Sequence, residues 1–117
     1  MDEWRDLKRV TKALGGVARL TIVYHLARQE AVTVTDLTDK LRISQPLVSW
    51  HLRKLRRVGL VETRRSGRQV YCSLKIERFR QYLQRLESLV DPTTISMDPV
   101  PIGTALIEAD TGPEDEA

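Results

Sequence analysis

Apolar residues recur at helical intervals through the first part of the chain. A helix is predicted over 3–14, ending at Gly15 and Gly16, with one stripe of residues spaced by three and four: Trp4, Leu7, Thr11 and Leu14. A second helix is predicted over 17–28, with a broad apolar arc that should be buried: Leu20, Val23 and Ala27 beside Ile22 and Leu26. Both helices therefore need packing partners elsewhere in the molecule.

Two further helices are predicted from their capping signals. Thr33 can accept a hydrogen bond from an amide in the first turn, and Asp36 is favourably placed there, so a short helix should begin at this point and end near Leu41. After a tight turn, Ser44 can cap a helix that carries Pro46 in its first turn and reaches about Val58.

The pattern then changes from helical to alternating. Two β-type runs, 60–63 and 70–74, flank a basic turn that contains Gly67, which is typical of a hairpin. The helical period returns from Ile76 to the Asp91-Pro92 stop, with Phe79, Leu83, Leu86 and Val90 on one face and Tyr82 and Leu89 beside it. The prediction is a mostly α fold with a small β-hairpin (α+β class): four helices, two strands and a fifth helix.

The charge is distributed unevenly along the chain. The formal net charge is +3, but 92–117 hold six acids and no Lys or Arg, so residues 1–91 carry 19 cations against 10 acids, or +9. Eleven of those cations lie in 42–80 against Glu62 and Glu77. We interpret 1–91 as one domain and 92–117 as an acidic, Pro- and Gly-containing C-terminal tail. The basic stretch is either a phosphate-binding surface or a solubilising one.

The spacing favours a nucleic-acid interface. Two helices joined by a tight turn, the second followed by a basic hairpin, form a helix-turn-helix with a wing, in which the second helix enters the major groove. Val48, Leu52 and Leu55 would anchor this helix to the core. The predicted DNA contacts lie on its other face and on the hairpin: Gln45, Pro46, Ser49, Trp50, Arg53, Lys54, Arg64, Arg65 and Arg68.

These residues also resemble a known family. The segment 44–61 (SQPLVSWHLRKLRRVGLV), followed by RSGR at 65–68 and Val70-Tyr71, is similar to the ArsR/SmtB winged-helix regulators of bacteria and archaea. The resemblance covers about 7–90. It implies a homodimeric repressor on a palindromic double-stranded DNA operator, with the first and last helices at the dimer interface: Trp4, Leu7, Thr11, Phe79, Tyr82, Leu83 and Leu86.

The sequence departs from that family at its metal sites. Thr33 and Thr35 stand where arsenic-sensing members carry a Cys-x-Cys pair, and the last helix offers no His and only Glu77, Glu87 and Asp91. Dispersed carboxylates make a poor zinc or nickel site, so we expect neither a metal nor a cofactor. The effector is not predicted. A ligand bound between the dimer helices or under the tail remains an alternative.

Other residues leave two interpretations open. Cys72, the single cysteine, is either a buried thiol on a strand or a redox switch. Trp50 either contacts DNA or covers the edge of the core, and His51 either contacts phosphate or is partly buried.

No Ser, His and Asp lie in the register that catalysis needs, so we expect no enzyme. We expect a cytoplasmic protein without a membrane span. The rival function is a winged-helix module that binds proteins.

Overall fold

The computed structural model describes residues 3–91 and 93. Within these residues the order of elements is α1 (Glu3–Leu14), α2 (Val17–Ala27), β1 (Val32–Thr33), α3 (Val34–Leu41), α4 (Gln45–Arg57), β2 (Val61–Ser66), β3 (Gln69–Leu74) and α5 (Ile76–Ser88). The predicted α+β class, its five helices and its hairpin are confirmed. The predicted tail, apart from Thr93, lies outside the described residues.

The sheet contains a strand that the sequence pattern did not predict. Val32 and Thr33 form β1, which pairs antiparallel with β3, so the strand order is β1-β3-β2. Two residues are too few to show the alternation of apolar and polar side chains that predicts a strand. This strand forms through its pairing with β3, in which Val32 lies opposite the buried Cys72. The same segment caps the next helix: the Thr33 hydroxyl accepts a 3.0 Å hydrogen bond from the Asp36 amide, as predicted.

One hydrophobic core joins the helices to the sheet. Its fully buried side chains come from every layer of the fold: Val10, Ile22, Val32, Leu37, Val48, Leu55, Leu60, Val61 and Cys72. The predicted arc of α2 is partly wrong, because Leu20 is 55% exposed and Ala27 is exposed. The helix instead buries the face formed by Arg19, Ile22, Val23 and Leu26. A helix that is apolar on most sides does not reveal which face meets the core.

A buried carboxylate joins α1 to α5 and to the end of α4. Arg78 donates to both oxygens of Asp6 at 3.0 and 2.9 Å, and its Nε donates to the Val58 carbonyl at 3.1 Å. Arg85 also bonds to Asp6, and the hydroxyls of Thr11 and Tyr82 lie 3.0 Å apart. The hydrogen bonds from Arg78 lower the pKa of Asp6 below its ordinary value despite the opposing effect of burial. The carboxylate is therefore charged in the folded protein.

This packing corrects part of the predicted dimer interface. Leu7 and Tyr82 are buried within the single chain, because the stripes of α1 and α5 pack against each other. Trp4, Phe79 and Leu86 are partly buried against the same core. Leu83 remains 48% exposed, so of the predicted residues it is the large apolar one that the chain leaves most open.

Replacing the buried carboxylate should destabilise the fold. Asp6→Asn leaves Arg78 without its charged acceptor and leaves Arg85 with Glu3 at 3.8 Å. We expect it to lower the free energy of unfolding at pH 7 by about 2–3 kcal/mol, since both arginines retain access to water. Because the folded pKa is lowered, the contribution of Asp6 is present above about pH 4, the unfolded value, and lost as pH falls through the folded pKa.

Urea unfolding at fixed protein concentration and several pH values measures both effects. The matched control is Glu77→Gln, which removes the exposed 2.9 Å ion pair with Arg80 and should cost under about 1 kcal/mol. Equal losses in the two variants at pH 7 would contradict the structural role of Asp6.

Candidate nucleic-acid interface

The helix-turn-helix is formed by α3, a three-residue turn and α4. The turn begins with Arg42 in the left-handed conformation (φ 57°), and its amide donates to the Thr38 carbonyl at 2.9 Å. Ser44 then caps α4, with its hydroxyl 3.4 Å from the Leu47 amide, and Pro46 lies in the first turn as predicted. The chain thereby passes from α3 to α4 within three residues, and the two helices are in contact.

One face of α4 is anchored and the other is open. Val48, Leu52 and Leu55 are buried, which confirms the predicted anchor. The remaining face is lined by exposed residues that the sequence assigned to DNA contact: Gln45, Pro46, Ser49 and Arg53. Hydrogen-bond donors and acceptors on this face are therefore available to base edges or phosphates.

The wing is the β2-β3 hairpin. Its two-residue turn, Gly67-Arg68, has a positive φ at Gly67 (63°) and not at Arg68, which is the pattern of a type II′ turn. Arg64, Arg65 and Arg68 are exposed, and the Arg64 guanidinium lies 5.4 Å from the Tyr71 ring centroid. The tip of the hairpin therefore carries its predicted positive charge into solvent.

The helix α4 and the wing share a cleft of about 230 Å³, here called the wing cleft. Polar side chains from both elements line it, among them Gln45, Ser49 and Arg56 of α4 and Arg65 and Arg68 of the wing. Arg56 also donates a 3.1 Å hydrogen bond to the Thr63 hydroxyl, which ties α4 to β2. Four of the predicted DNA contacts thus meet at one place, whereas Pro46, Trp50, Arg53, Lys54 and Arg64 do not line it.

Trp50 belongs to the core edge, which corrects its prediction as a DNA contact. The indole is only 6% exposed, with the Arg19 guanidinium 4.9 Å and the Lys54 ammonium 5.0 Å from its ring centroid. Its ring also meets the His51 ring edge to face at 5.1 Å. The contacts with these two cations stabilise the indole at the edge of the core, so the ring of Trp50 presents no free face to a base.

Arg19 is a buried residue that the sequence analysis missed. It is 5% exposed and donates to the Ala13 carbonyl at 3.1 Å and to His51 Nδ1 at 3.2 Å. A cation at the C-terminus of α1 satisfies carbonyls that have no partner inside the helix. The sequence feature that could have indicated its burial is the position of an arginine within an otherwise apolar helix. Its long-range partners were not visible in any local pattern.

His51 is partly buried, as one of its two interpretations predicted. Burial lowers the pKa of His51 below its ordinary value, and the charge of Arg19 adds to the effect. A neutral ring is also what the contact requires, because Nδ1 accepts the hydrogen bond from Arg19. His51 therefore acts as an acceptor that joins α4 to α2.

Cys72 is a buried structural thiol. It lies on β3 without exposed area, and burial raises its pKa to about 11. A thiol with such a pKa stays protonated at neutral pH and is a poor nucleophile. The buried-thiol interpretation is confirmed.

The remaining candidate ligands and charges are dispersed. Of the two threonines that stand at the Cys-x-Cys positions of arsenic-sensing family members, Thr33 uses its hydroxyl to cap α3, and Thr35 is exposed. Within 3–91 and 93, no three His, Cys, Asp or Glu side chains group as a metal site requires, and none of the described helices has the length and apolarity to cross a bilayer. Arg78 and Arg80 pair with Asp6 and Glu77, so these two cations of the basic stretch are partly neutralised.

Comparisons with known proteins agree on one family. A family model described as "Bacterial regulatory protein, arsR family" matches residues 17–63. The cadmium resistance transcriptional regulatory protein CadC homolog of Staphylococcus aureus is 32% identical over 80 residues, which are 68% of this chain and 66% of that relative. The chain thus spans just under two thirds of that relative's length.

Solved structures give the same result. The transcriptional regulator HlyU from Vibrio vulnificus CMCP6 is 39% identical, with a TM-score of 0.56, and the match covers 70% of this chain and 84% of that one. The homodimeric winged helix-turn-helix DNA-binding domain of a possible ArsR-family regulator from Mycobacterium bovis is 27% identical, with a TM-score of 0.61, and covers 74% and 80%. Regulators of transcription are binding proteins and not enzymes.

The contact between Arg19 and His51 predicts an acid-sensitive fold. Because the folded pKa of His51 is lowered, the unfolded chain takes up the proton first as pH falls, so stability should be full above about pH 6.5 and decline below it until the folded pKa is reached. His51→Gln keeps an acceptor for Arg19 but cannot titrate, and it should lose this decline. The control His25→Gln should retain it. Urea midpoints between pH 7.5 and 5.5 measure the difference, and identical pH dependence in the wild type and His51→Gln would contradict the assignment.

Proposed function

Because this chain belongs to the ArsR family of bacterial regulatory proteins, we propose that it is a DNA-binding transcriptional repressor that acts as a homodimer. The family match and the named regulators support this function. They do not favour the rival protein-binding module, since the matched domain of the Mycobacterium bovis relative is described as DNA-binding. Action on chromosomal DNA also requires the cytoplasmic location that the sequence analysis expected.

The wing cleft carries the proposal. It places Gln45 and Ser49, which can hydrogen-bond base edges, beside Arg65 and Arg68, which can neutralise phosphates. We assign α4 to the major groove, where Gln45, Ser49 and Arg53 read bases. The exposed arginines of the wing, Arg64 among them, bind the backbone or an adjacent minor groove. Pro46 keeps its assignment beside this surface, and Lys54 keeps its assignment as a DNA contact from another side of α4. Trp50 is removed from the DNA contacts.

The dimer is assigned to the outer face of α1 and α5. Leu83 in the middle of α5, and Leu89 and Val90 just after its last residue, are exposed apolar residues, and Phe79 and Leu86 of the same helix are partly buried. An exposed apolar patch of this kind is typical of an association surface. A two-fold dimer built there presents two copies of α4 to a palindromic operator. The mechanism requires no metal or cofactor.

Selection of preferred duplexes from a random pool tests the function. We expect enrichment of a two-fold symmetric sequence whose half-sites are separated by about 34 Å, or one helical turn, or a multiple of it. Single-chain binding would enrich one half-site alone. A pool that shows no enrichment after repeated selection would contradict sequence-specific binding.

Variants of the wing cleft separate base reading from phosphate binding. Arg65→Ala and Arg68→Ala should each weaken binding to selected and random duplexes alike, and each should reduce the slope of log affinity against log salt by about 0.9, one phosphate contact. Gln45→Ala should lower affinity for the selected duplex by about 1–3 kcal/mol and leave random duplexes nearly unaffected. Titrations at several salt concentrations measure both effects. Unchanged slopes in the wing variants, or equal losses on both duplexes for Gln45→Ala, would remove these residues from their assigned roles.

A further inference from the structure

A second basic cleft lies on the other flank of α4. This α1 cleft, of about 180 Å³, is formed where α1 packs beside the C-terminal end of α4. Five of its seven lining residues are cations and none is an acid: Lys8, Arg9, Lys12, Ala13, Lys54, Arg57 and Val58. The cations of α1 and those of α4 are some 45 positions apart in the chain, so no local sequence pattern groups them. Five cations around one small volume give the cleft a positive potential, which attracts anions.

The two clefts face opposite sides of the same helix. Lys54 lies nine residues after Gln45, or about two and a half helical turns, which places the two residues on opposite sides of α4. Gln45, Ser49 and Arg56 line the wing cleft, whereas Lys54 and Arg57 line the α1 cleft. The proposed recognition helix therefore has a cationic cleft along each flank.

The α1 cleft is held in place by buried contacts. Arg19 donates to the carbonyls of Lys12 and Ala13 in α1 and to His51 in α4, so the end of α1 is fixed relative to the recognition helix. The carboxylate of Asp6 on α1 is bonded to Arg78 and Arg85 and is almost fully buried. The carboxylate of Asp6 is thus bonded to arginines outside the cleft and does not line it.

We propose that the α1 cleft binds backbone phosphates of the DNA strand opposite to the strand contacted by the wing. The major groove is about 12 Å wide and has a sugar-phosphate backbone along each side, so a helix lying in it has phosphates on both flanks. Phosphate oxygens are the ligands that Lys and Arg side chains bind most readily on DNA. The assignment rests on the proposed function and adds a second strand contact to it, made by α4 residues other than those that read bases.

The test uses the double variant Arg9→Gln/Lys12→Gln in the full chain. Both side chains leave α1 toward the cleft and neither belongs to the proposed base-reading face. Affinity is measured against salt for the selected duplex and for a random duplex. We expect the slope of log affinity against log salt to fall by about 0.9 for each phosphate that the variant no longer neutralises, so by up to about 1.8, with the preference for the selected duplex unchanged.

The matched control is Arg5→Gln/Arg28→Gln. It removes the same net charge from exposed positions that line neither cleft, so it reports the effect of net charge together with loss of the local contact between Arg28 and Tyr24. Thermal unfolding of both variants shows that any change in binding does not come from loss of the fold. A slope change in the cleft variant that exceeds the change in the control supports the inference.

The outcomes separate this inference from the function on which it rests. One outcome is that the wild type binds with sequence preference and the wing variants reduce the slope of log affinity against log salt, whereas the cleft variant behaves like the control. In that case the α1 cleft does not bind phosphate, and only this inference is overturned. That result is also expected if the cleft serves an acidic peptide instead, such as the chain's own acidic residues 108–116. If the wild type binds neither duplex, both proposals are overturned.

Discussion

The position of α4 depends on two arginines, of which Arg19 is buried and Arg78 partly buried. Arg19 joins the last carbonyls of α1 to His51 in the middle of α4, and Arg78 joins Asp6 of α1 to the Val58 carbonyl at the end of α4. Each side chain satisfies backbone or carboxylate oxygens that would otherwise be buried without a partner. The hydrophobic anchor of α4 fixes its depth in the core. The two arginines fix its direction, and that direction determines which side chains a double helix could meet.

Arginine thus serves two roles in this chain: some arginines join elements of the fold, and others are exposed for binding. A count of charges along the chain does not distinguish the two. Arg65 and Arg68 are exposed on a hairpin tip, where the side chain has only solvent or an external anion as a partner. Arg78 and Arg19 have carboxylate, carbonyl and imidazole partners within the fold. The distinction depends on residues about 30 to 70 positions away in the chain, such as His51 for Arg19 and Asp6 for Arg78. A cluster of cations in the sequence therefore overstates the charge that is available for binding.

Sequence predicted the elements whose signals are local. Thr33 and Ser44 cap their helices as expected, Gly67 occupies the turn of the wing, and the period-two pattern around Cys72 correctly placed that thiol in the core. The errors concern long-range packing. The strand β1 exists only through its pairing with β3. Leu20 is exposed because α2 turns a different face inward, and Trp50 is buried because Arg19 and Lys54 flank its ring. Each of these depends on contacts that no window of the sequence contains.

Burial of Trp50 also limits how much sequence one copy of α4 can read. The exposed side chains that remain for base contact are Gln45, Ser49 and Arg53, within little more than two turns of helix. A good bidentate contact gives about 1–3 kcal/mol of discrimination against a wrong base, so two such contacts give about 2–6 kcal/mol. Specific binding exceeds non-specific binding by about 4–10 kcal/mol in typical regulators. A single α4 reaches only the lower part of that range, and two copies on a symmetric operator reach its upper part. The proposed dimer is therefore a requirement of specificity, because the short reading face of one chain must be used twice.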